Sequence, residues 1–391
     1  MVSADTTRSS LLERPGERKA TWADGLALLL CFCVPALLTV ARLVSTLRQH
    51  AFAVDFHHYY WPSGNYVLHG RSPFPPPTAD AVSLLHLYPS GEYPAPVAVL
   101  FAPFGLLPLW LAEAIFTAIL VAAVVGALHV VGVRDTRCYG AAFLWAPVAF
   151  GIQTANLSLL LLLGLALLWR LRHKVVGTAL VLGSMISLKL FVWPLVIWLL
   201  ATRRYLAAMW SLVVALTITL LSWAVLGFAG FNEYPRVARI FVSYYEKASY
   251  TPYAFLISLG APEPLARVGG LAVGIAALGA VALAARRRRS DKASFTFAVS
   301  AALLCSPIVW LHYFALLLVP LAILSPAFSV AWLVPVISWA SPVGAPSSAW
   351  KFALPLIVSA VTLLVAKRDW LRPRAMSWGS AKGRGQTQPS L

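Results

Sequence analysis

Long apolar runs separated by short polar or basic segments dominate this sequence. The first run covers residues 24–46, and runs of similar character recur from residue 97 to residue 367. A helix needs roughly 20 apolar residues to cross the hydrocarbon core of a bilayer, and the alternating pattern of outer-membrane strands is absent. The pattern predicts an all-α, polytopic membrane protein with about twelve transmembrane helices.

One apolar stretch, residues 97–133, is too long for a single crossing. It contains Pro103, Gly105 and Pro108, and proline and glycine interrupt helices rather than propagate them. We therefore expect either a broken helix or a re-entrant piece followed by a full span.

Polar stretches divide the rest of the chain. Residues 47–93 and 228–263 are predicted to be outer loops that carry short helices, and residues 23–368 to form one transmembrane domain. Residues 1–22 and 369–391 are polar and basic, as expected of disordered cytoplasmic tails. Because residues 1–20 lack a short apolar core with a cleavage site, the first span is predicted to be an uncleaved anchor.

Composition and charge support a plasma-membrane protein. The chain is 60% hydrophobic and carries a net charge of +17, but the basic residues occupy short loops instead of one nucleic-acid-binding face. Their distribution follows the positive-inside rule with both termini cytoplasmic. The four cysteines have unrelated spacings, so neither a disulfide framework nor a metal site is predicted.

The charge-derived topology places several polar features on the outer side of the membrane. They lie far apart in the sequence, and one polar residue at a helix end is usually an interfacial anchor. Their convergence at one surface is harder to explain in that way. The features are Asp55, Gln153 with Asn156, Lys189, the loop 228–263, and Trp310 with His312.

Asp55 is the central candidate, because a carboxylate among aromatic residues at a membrane surface is costly. It could accept a proton from a sugar hydroxyl as a general base. The structural alternative is a helix N-cap, for which aspartate is well suited.

The remaining candidates fall into two groups. The first group, Lys189, His312 and Arg236, could bind a donor phosphate. The structural alternatives are a lysine that snorkels to the membrane surface, a histidine at a helix end and an arginine on a solvated face. The second group of residues could contact the sugar or the acceptor. Their structural alternatives are an aromatic belt at the membrane surface, polar turns and solvation of a loop. This group contains His57, His58, Glu92, Gln153, Asn156 and Trp310.

The sequence has neither a glycine-rich phosphate loop nor an Asp-x-Asp motif. We therefore expect no nucleotide, metal or other cofactor, and a substrate that arrives already activated on a lipid carrier. A lipid or solute transporter is the alternative, although no paired repeat of broken helices is apparent.

An ordered set of short motifs resembles glycosyltransferase family 87, polyprenyl-phosphate-mannose-dependent α-mannosyltransferases with the C-type (GT-C) membrane fold. The motifs run across roughly residues 50–320. They are Asp55 after the first helix, Gly70-Arg-Ser-Pro73, Tyr88 to Pro96, Gln153-x-x-Asn156, Lys189 before Pro194, Arg203-Arg204-Tyr205, and Ser306-Pro-x-x-Trp-x-His312.

The resemblance implies an inverting, metal-independent transfer to a glycolipid or glycan acceptor that gives an α-linkage. It implies Asp55 as the base, with Lys189 and His312 steadying the phosphate. The chain departs from the family pattern at Tyr93-Pro-Ala-Pro96 and at Ala248–Thr251. Arabinofuranose therefore stays open as an alternative donor sugar.

Overall fold

The computed structural model describes residues 52–74, 93–286, 291–341 and 349–371, together with scattered positions between residues 22 and 48. Nearly all of both predicted tails, much of the first predicted span, and Glu92 lie outside the described residues. The described part of the chain is helical throughout, without a β-strand, which confirms the all-α prediction.

Fifteen α-helices and several shorter 3₁₀ or π-helical segments are described in full. The α-helices are α1 (Trp61–Leu68), α2 (Ala95–Phe101), α3 (Leu109–Val131), α4 (Thr136–Phe143), α5 (Ala146–Gln153), α6 (Ser158–Leu171), α7 (Val175–Leu188), α8 (Pro194–Ala201), α9 (Tyr205–Val225), α10 (Tyr234–Tyr245), α11 (Pro252–Ser258), α12 (Glu263–Arg286), α13 (Asp291–Leu304), α14 (Leu318–Leu324) and α15 (Ala349–Leu371). The others are a π-helical turn (Phe56–Tyr60) and 3₁₀ segments at Ala102–Leu106, Leu190–Val192, Glu246–Ala248, Leu311–Leu317, Val330–Trp332 and Val334–Ala340.

Three of the described helices, α3, α9 and α12, are long and apolar enough to cross a membrane. The outer face of α12 carries exposed apolar side chains such as Leu271 (65% exposed), which suit contact with lipid. Shorter apolar helices accompany them, as in a multi-pass membrane protein. Helices α6 and α7 have only 14 residues each, about 21 Å against a core of roughly 30 Å. The count of about twelve spans therefore stays a prediction.

The predicted break within residues 97–133 is present. Helix α2 ends at Phe101, a 3₁₀ segment follows, and α3 begins directly after Pro108. Gly105 lies against α1, where an added Cβ would be 3.0 Å from the Cα of Asn65. Glycine therefore allows the 3₁₀ segment to pack closely on α1.

The core lies where α3, α6 and the Leu311–Leu317 segment pack together. Trp145 and Trp332 are buried in it, and Nε1 of Trp145 donates to the carbonyl oxygen of Trp332 at 2.9 Å. The buried indole N–H is thus satisfied, as a low-dielectric interior requires.

Asp291 gathers three segments at one end of the bundle. Arg172, after α6, donates to it at 2.9 Å, and Arg204, before α9, donates to both carboxylate oxygens at 2.9 Å. Because Asp291 begins α13, the α6–α7 turn, the α8–α9 turn and the start of α13 lie together. We call this the basic end.

The opposite ends of these helices meet at what we call the site end. There the Ala53 N–H donates to the Gln153 carbonyl at 2.7 Å, and Nζ of Lys189 donates to the Tyr313 hydroxyl at 2.8 Å. The polar features that the charge pattern placed on one surface thus do converge at one end. Which side of the membrane this end faces is a prediction.

Candidate active site

Asp55 is positioned by two loops that pair through their backbones. Besides the bond from Ala53 to Gln153, the Asp55 N–H donates to the Thr154 carbonyl at 3.0 Å. Ala53 and Ala155 both adopt φ of 52°, a left-handed conformation that is costly for a residue with a Cβ. The paired loops therefore hold this unfavourable backbone and fix where Asp55 lies.

The Asp55 side chain does not cap the helical turn that follows it, so the N-cap alternative is not what the structure shows. Instead, Oδ2 of Asp55 accepts a hydrogen bond from Nδ2 of Asn156 at 2.6 Å. Burial raises the pKa of the Asp55 carboxyl, while the Asn156 bond and the charge of Lys189 act in the opposite direction. A carboxyl with a raised pKa is suited to accepting a proton in a transition state.

Asp55 lines a cavity of about 260 Å³ whose walls are mostly aromatic. Its wall joins the two paired loops to α10 and to the segment before α14. Tyr245 and Trp310 stand edge to face there, with ring centroids 5.5 Å apart. The lining consists of Asp55, Tyr59, Tyr93, Phe150, Thr154, Asn156, Phe241, Tyr245, Trp310, Leu311 and His312. A small cavity with aromatic walls and few polar groups is typical of a ligand site.

His312 lines this cavity and carries a buried polar atom without a partner. The residue is 7% exposed, and its Nε2 has no hydrogen-bond partner among the described residues. Leaving a buried donor or acceptor unsatisfied costs free energy, and native proteins rarely do so without a reason.

A second, more apolar cavity of about 390 Å³ adjoins the first. Lys189 lines it, only 6% exposed, between the rings of Tyr93 and Tyr313, whose centroids lie 5.1 and 4.3 Å from Nζ. Tyr93 and Phe241 line both cavities. The positive charge of Lys189 therefore lies beside the Asp55 cavity, in an apolar groove formed by α7, α9, α10 and the two residues before α2.

Four of the sequence-derived candidates line neither cavity. His57 contacts Glu113 at 3.1 Å with its side chain half exposed, and His58 is exposed. Gln153 accepts the Ala53 bond with its backbone carbonyl. Arg236, in the first turn of α10, has its side chain 40% exposed and lies 3.7 Å from Glu233, which precedes the helix. Their assigned contacts with phosphate or sugar remain predictions.

The structure also brings in residues that had no role in the site assigned from the sequence. Tyr93 and Phe241 separate the two cavities, Tyr245 faces Trp310, and Ser158 contacts Asn156. Phe241 and Tyr245 are four residues apart on α10, so they share one face of that helix. This spacing was the available sequence signal, whereas the role of Ser158 depends on a contact that no periodicity encodes.

Comparisons with known proteins identify the family. Glycosyltransferase family 87 matches residues 92–307, more than half of the chain. Neither the comparison with curated proteins nor that with solved structures gives a match. The matched region contains Asn156 and Lys189, whereas Asp55 and His312 lie outside it. The chain belongs to glycosyltransferase family 87 and is a membrane glycosyltransferase.

Proposed function

We propose that this protein transfers a mannosyl residue from polyprenyl-phosphate-mannose to a cell-envelope glycolipid or glycan, with inversion to an α-linkage. The observation that carries the proposal is the arrangement of three groups at the site end. Asp55 and His312 line one cavity, the buried Nε2 of His312 has no partner among the described residues, and Lys189 lies in the apolar groove beside the cavity.

The two cavities suit the two halves of such a donor. The apolar groove would hold the start of the polyprenyl chain, with Lys189 as a point charge for the phosphate. The aromatic cavity would hold the sugar, with Tyr245 and Trp310 against its ring. Tyr93 and Phe241, which border both, would lie at the sugar–phosphate bond.

Asp55 would act as the general base. The acceptor hydroxyl oxygen attacks the anomeric carbon of a β-linked donor, and the bond from that carbon to the phosphate oxygen breaks. The hydroxyl proton passes to Asp55, and the bonding electron pair leaves with the polyprenyl phosphate. Lys189 and a donated hydrogen bond from Nε2 of His312 stabilise the departing charge.

One observation bears on the choice of mannose over arabinofuranose as the donor sugar. The departure from the family pattern at Ala248–Thr251 does not line the Asp55 cavity. Ser249 is buried and donates to the Glu246 carbonyl, and Thr251 caps α11 by accepting from the Ala254 N–H. These residues shape the loop rather than contact the proposed sugar site.

The family places this chain with transferases, and so disfavours the transporter alternative. We further propose that the site end faces the outer side of the plasma membrane with both termini in the cytoplasm. The arginines around Asp291 at the basic end support this orientation, because cytoplasmic segments are enriched in arginine and lysine.

A transfer assay tests the proposed function. Purified protein would receive labelled polyprenyl-phosphate-mannose or polyprenyl-phosphate-arabinose together with envelope lipids extracted from cells that lack the protein. We expect transfer from the mannose donor, and loss of about 10²- to 10⁴-fold in Asp55→Asn, the usual contribution of a general base.

Glu113→Gln is the matched control. It removes an acid near the same end of the bundle that lines neither cavity, and we expect it to keep the wild-type rate. Transfer from the arabinose donor alone would replace the proposed sugar. Full activity of Asp55→Asn would remove Asp55 from the mechanism.

A further inference from the structure

The side-chain amide of Asn156 is held from both sides. Its Oδ1 accepts from the backbone N–H of Ser158 at 2.8 Å and from Oγ of Ser158 at 2.6 Å. Its Nδ2 donates to Oδ2 of Asp55 at 2.6 Å. Asn156 is 1% exposed and Ser158 is fully buried at the first position of α6. Nδ2 of Asn156 also lies 3.5 Å from the Tyr93 hydroxyl. The contact thus runs from buried Ser158 through buried Asn156 to Asp55 at the cavity wall.

The chemistry of these atoms leaves the amide one orientation. A backbone N–H can only donate, so the amide atom facing Ser158 must be the carbonyl oxygen. The NH₂ group is then turned toward Asp55. A half-turn of the amide would set its oxygen against a carboxylate oxygen and its NH₂ against the Ser158 N–H, which loses both bonds.

We propose that Ser158 is a positioning residue for the transfer reaction, acting through Asn156 to orient the Asp55 carboxylate. The inference rests on the proposed function, because it presumes that Asp55 is the base. The hydroxyl of Ser158 adds a second donor to Oδ1 of Asn156 and so fixes the amide plane against which the carboxylate lies. Such support holds a reacting group within the narrow geometry that catalysis needs.

Removing the hydroxyl tests this role. In Ser158→Ala the backbone N–H still faces Asn156, so we expect kcat to fall about twofold to tenfold, the range for one hydrogen bond, with KM unchanged. The acid limb of the pH–rate profile should also move to higher pH, because a loosened amide stabilises the ionised carboxylate less. A purely structural serine would not move that limb.

Ser211→Ala is the matched control, since Ser211 is equally buried and, among the described residues, its hydroxyl donates within α9 to the Ala207 carbonyl. We expect it to keep both the rate and the pH profile. Ser158→Thr keeps the hydroxyl and should recover most of kcat, which separates the hydrogen bond from packing.

A double-mutant comparison decides whether Ser158 acts through Asn156. In an Asn156→Ala background, Ser158→Ala should cause no further loss of kcat, because the contact is already gone. An additive loss, or an unchanged rate and pH profile in Ser158→Ala alone, would overturn the inference. If Asp55→Asn is inactive while Ser158→Ala matches wild type, the general base stands and only the positioning role fails.

Discussion

Nδ2 of Asn156 lies 2.6 Å from Oδ2 of Asp55, although the two residues are 101 positions apart in the chain. The bond joins the loop before the π-helical turn to the loop between α5 and α6. Burial disfavours the ionised form of this carboxyl, and the bond from Asn156 acts against that effect. The same bond fixes the position of the carboxyl beside the cavity. The predictions below follow from this site and from the helices that support it.

The pH dependence of transfer should reflect the raised pKa of Asp55. A general base works only when ionised, so kcat/KM should fall as the pH drops through this pKa. That midpoint should lie above about 3.9, the ordinary value for aspartate. A pH–rate profile measured on purified protein checks this. An acid limb at or below the ordinary value would show that Asp55 does not control the reaction.

Asp55→Asn should make the protein more stable at neutral pH while it lowers the rate of transfer. Because the folded-state pKa is raised, folding favours the protonated carboxyl. The free energy of unfolding therefore rises as pH falls through that pKa, and the ionised form lowers stability above it. A neutral amide avoids this cost. Thermal unfolding in detergent should show a higher Tm at pH 7, and a lower Tm would contradict the sign.

Lys189→Met should weaken donor binding more than it weakens folding. Replacing a charged hydrogen-bond donor costs about 1.5–3 kcal/mol where it contacts a ligand, or roughly tenfold to a hundredfold in affinity. Binding of polyprenyl phosphate itself, measured by titration, reports this without an acceptor. Lys174→Met, on an exposed lysine at the start of α7, provides the control. Equal affinity in both variants would place the phosphate elsewhere.

Two adjacent tyrosines allow a close test of the aromatic wall. Tyr245 lines the Asp55 cavity opposite Trp310, whereas Tyr244 is 59% exposed and lines neither cavity. Tyr245→Ala should raise the KM for donor or acceptor about tenfold, as expected for losing roughly 1.4 kcal/mol of contact. Tyr244→Ala should leave KM unchanged. If both variants have the same KM, the side chain of Tyr245 does not contribute to the sugar site.

Asp291→Asn should destabilise the bundle without changing the chemistry. The residue bridges Arg172 and Arg204, and its side chain is 31% exposed. Losing a partly buried charge that two arginines share should cost about 1–3 kcal/mol. We expect a lower Tm with kcat preserved at low temperature. A large loss of kcat in folded protein would mean that the basic end communicates with the cavity.

Several features could be predicted from the sequence because they depend on local composition. Hydrophobic length and the basic loops identified a multi-pass helical protein, and Pro103, Gly105 and Pro108 marked the break between α2 and α3. The predicted alternation of spans across the membrane placed Asp55 and Lys189 on the same side, and in the structure they lie at the same end. These inferences need no knowledge of side-chain contacts.

The remaining features could not be predicted because they arise from packing between distant segments. Asn156 was assigned to sugar or acceptor binding, and the structure shows its amide donating to Asp55. His57 and Asp55 are neighbours in sequence, yet His57 contacts Glu113 outside the cavity. The direction of a side chain in an irregular loop depends on its partners, for which hydrophobic periodicity carries no signal.

The bridge at Asp291 also has a consequence for how the protein is made. Its two arginine partners precede it by 119 and 87 residues, so the turns that carry them leave the ribosome well before α13. Until then neither arginine has this counter-charge. We therefore expect the helices of the first half to complete their assembly only when α13 is inserted, and chains truncated before Asp291 to be exposed to membrane proteases.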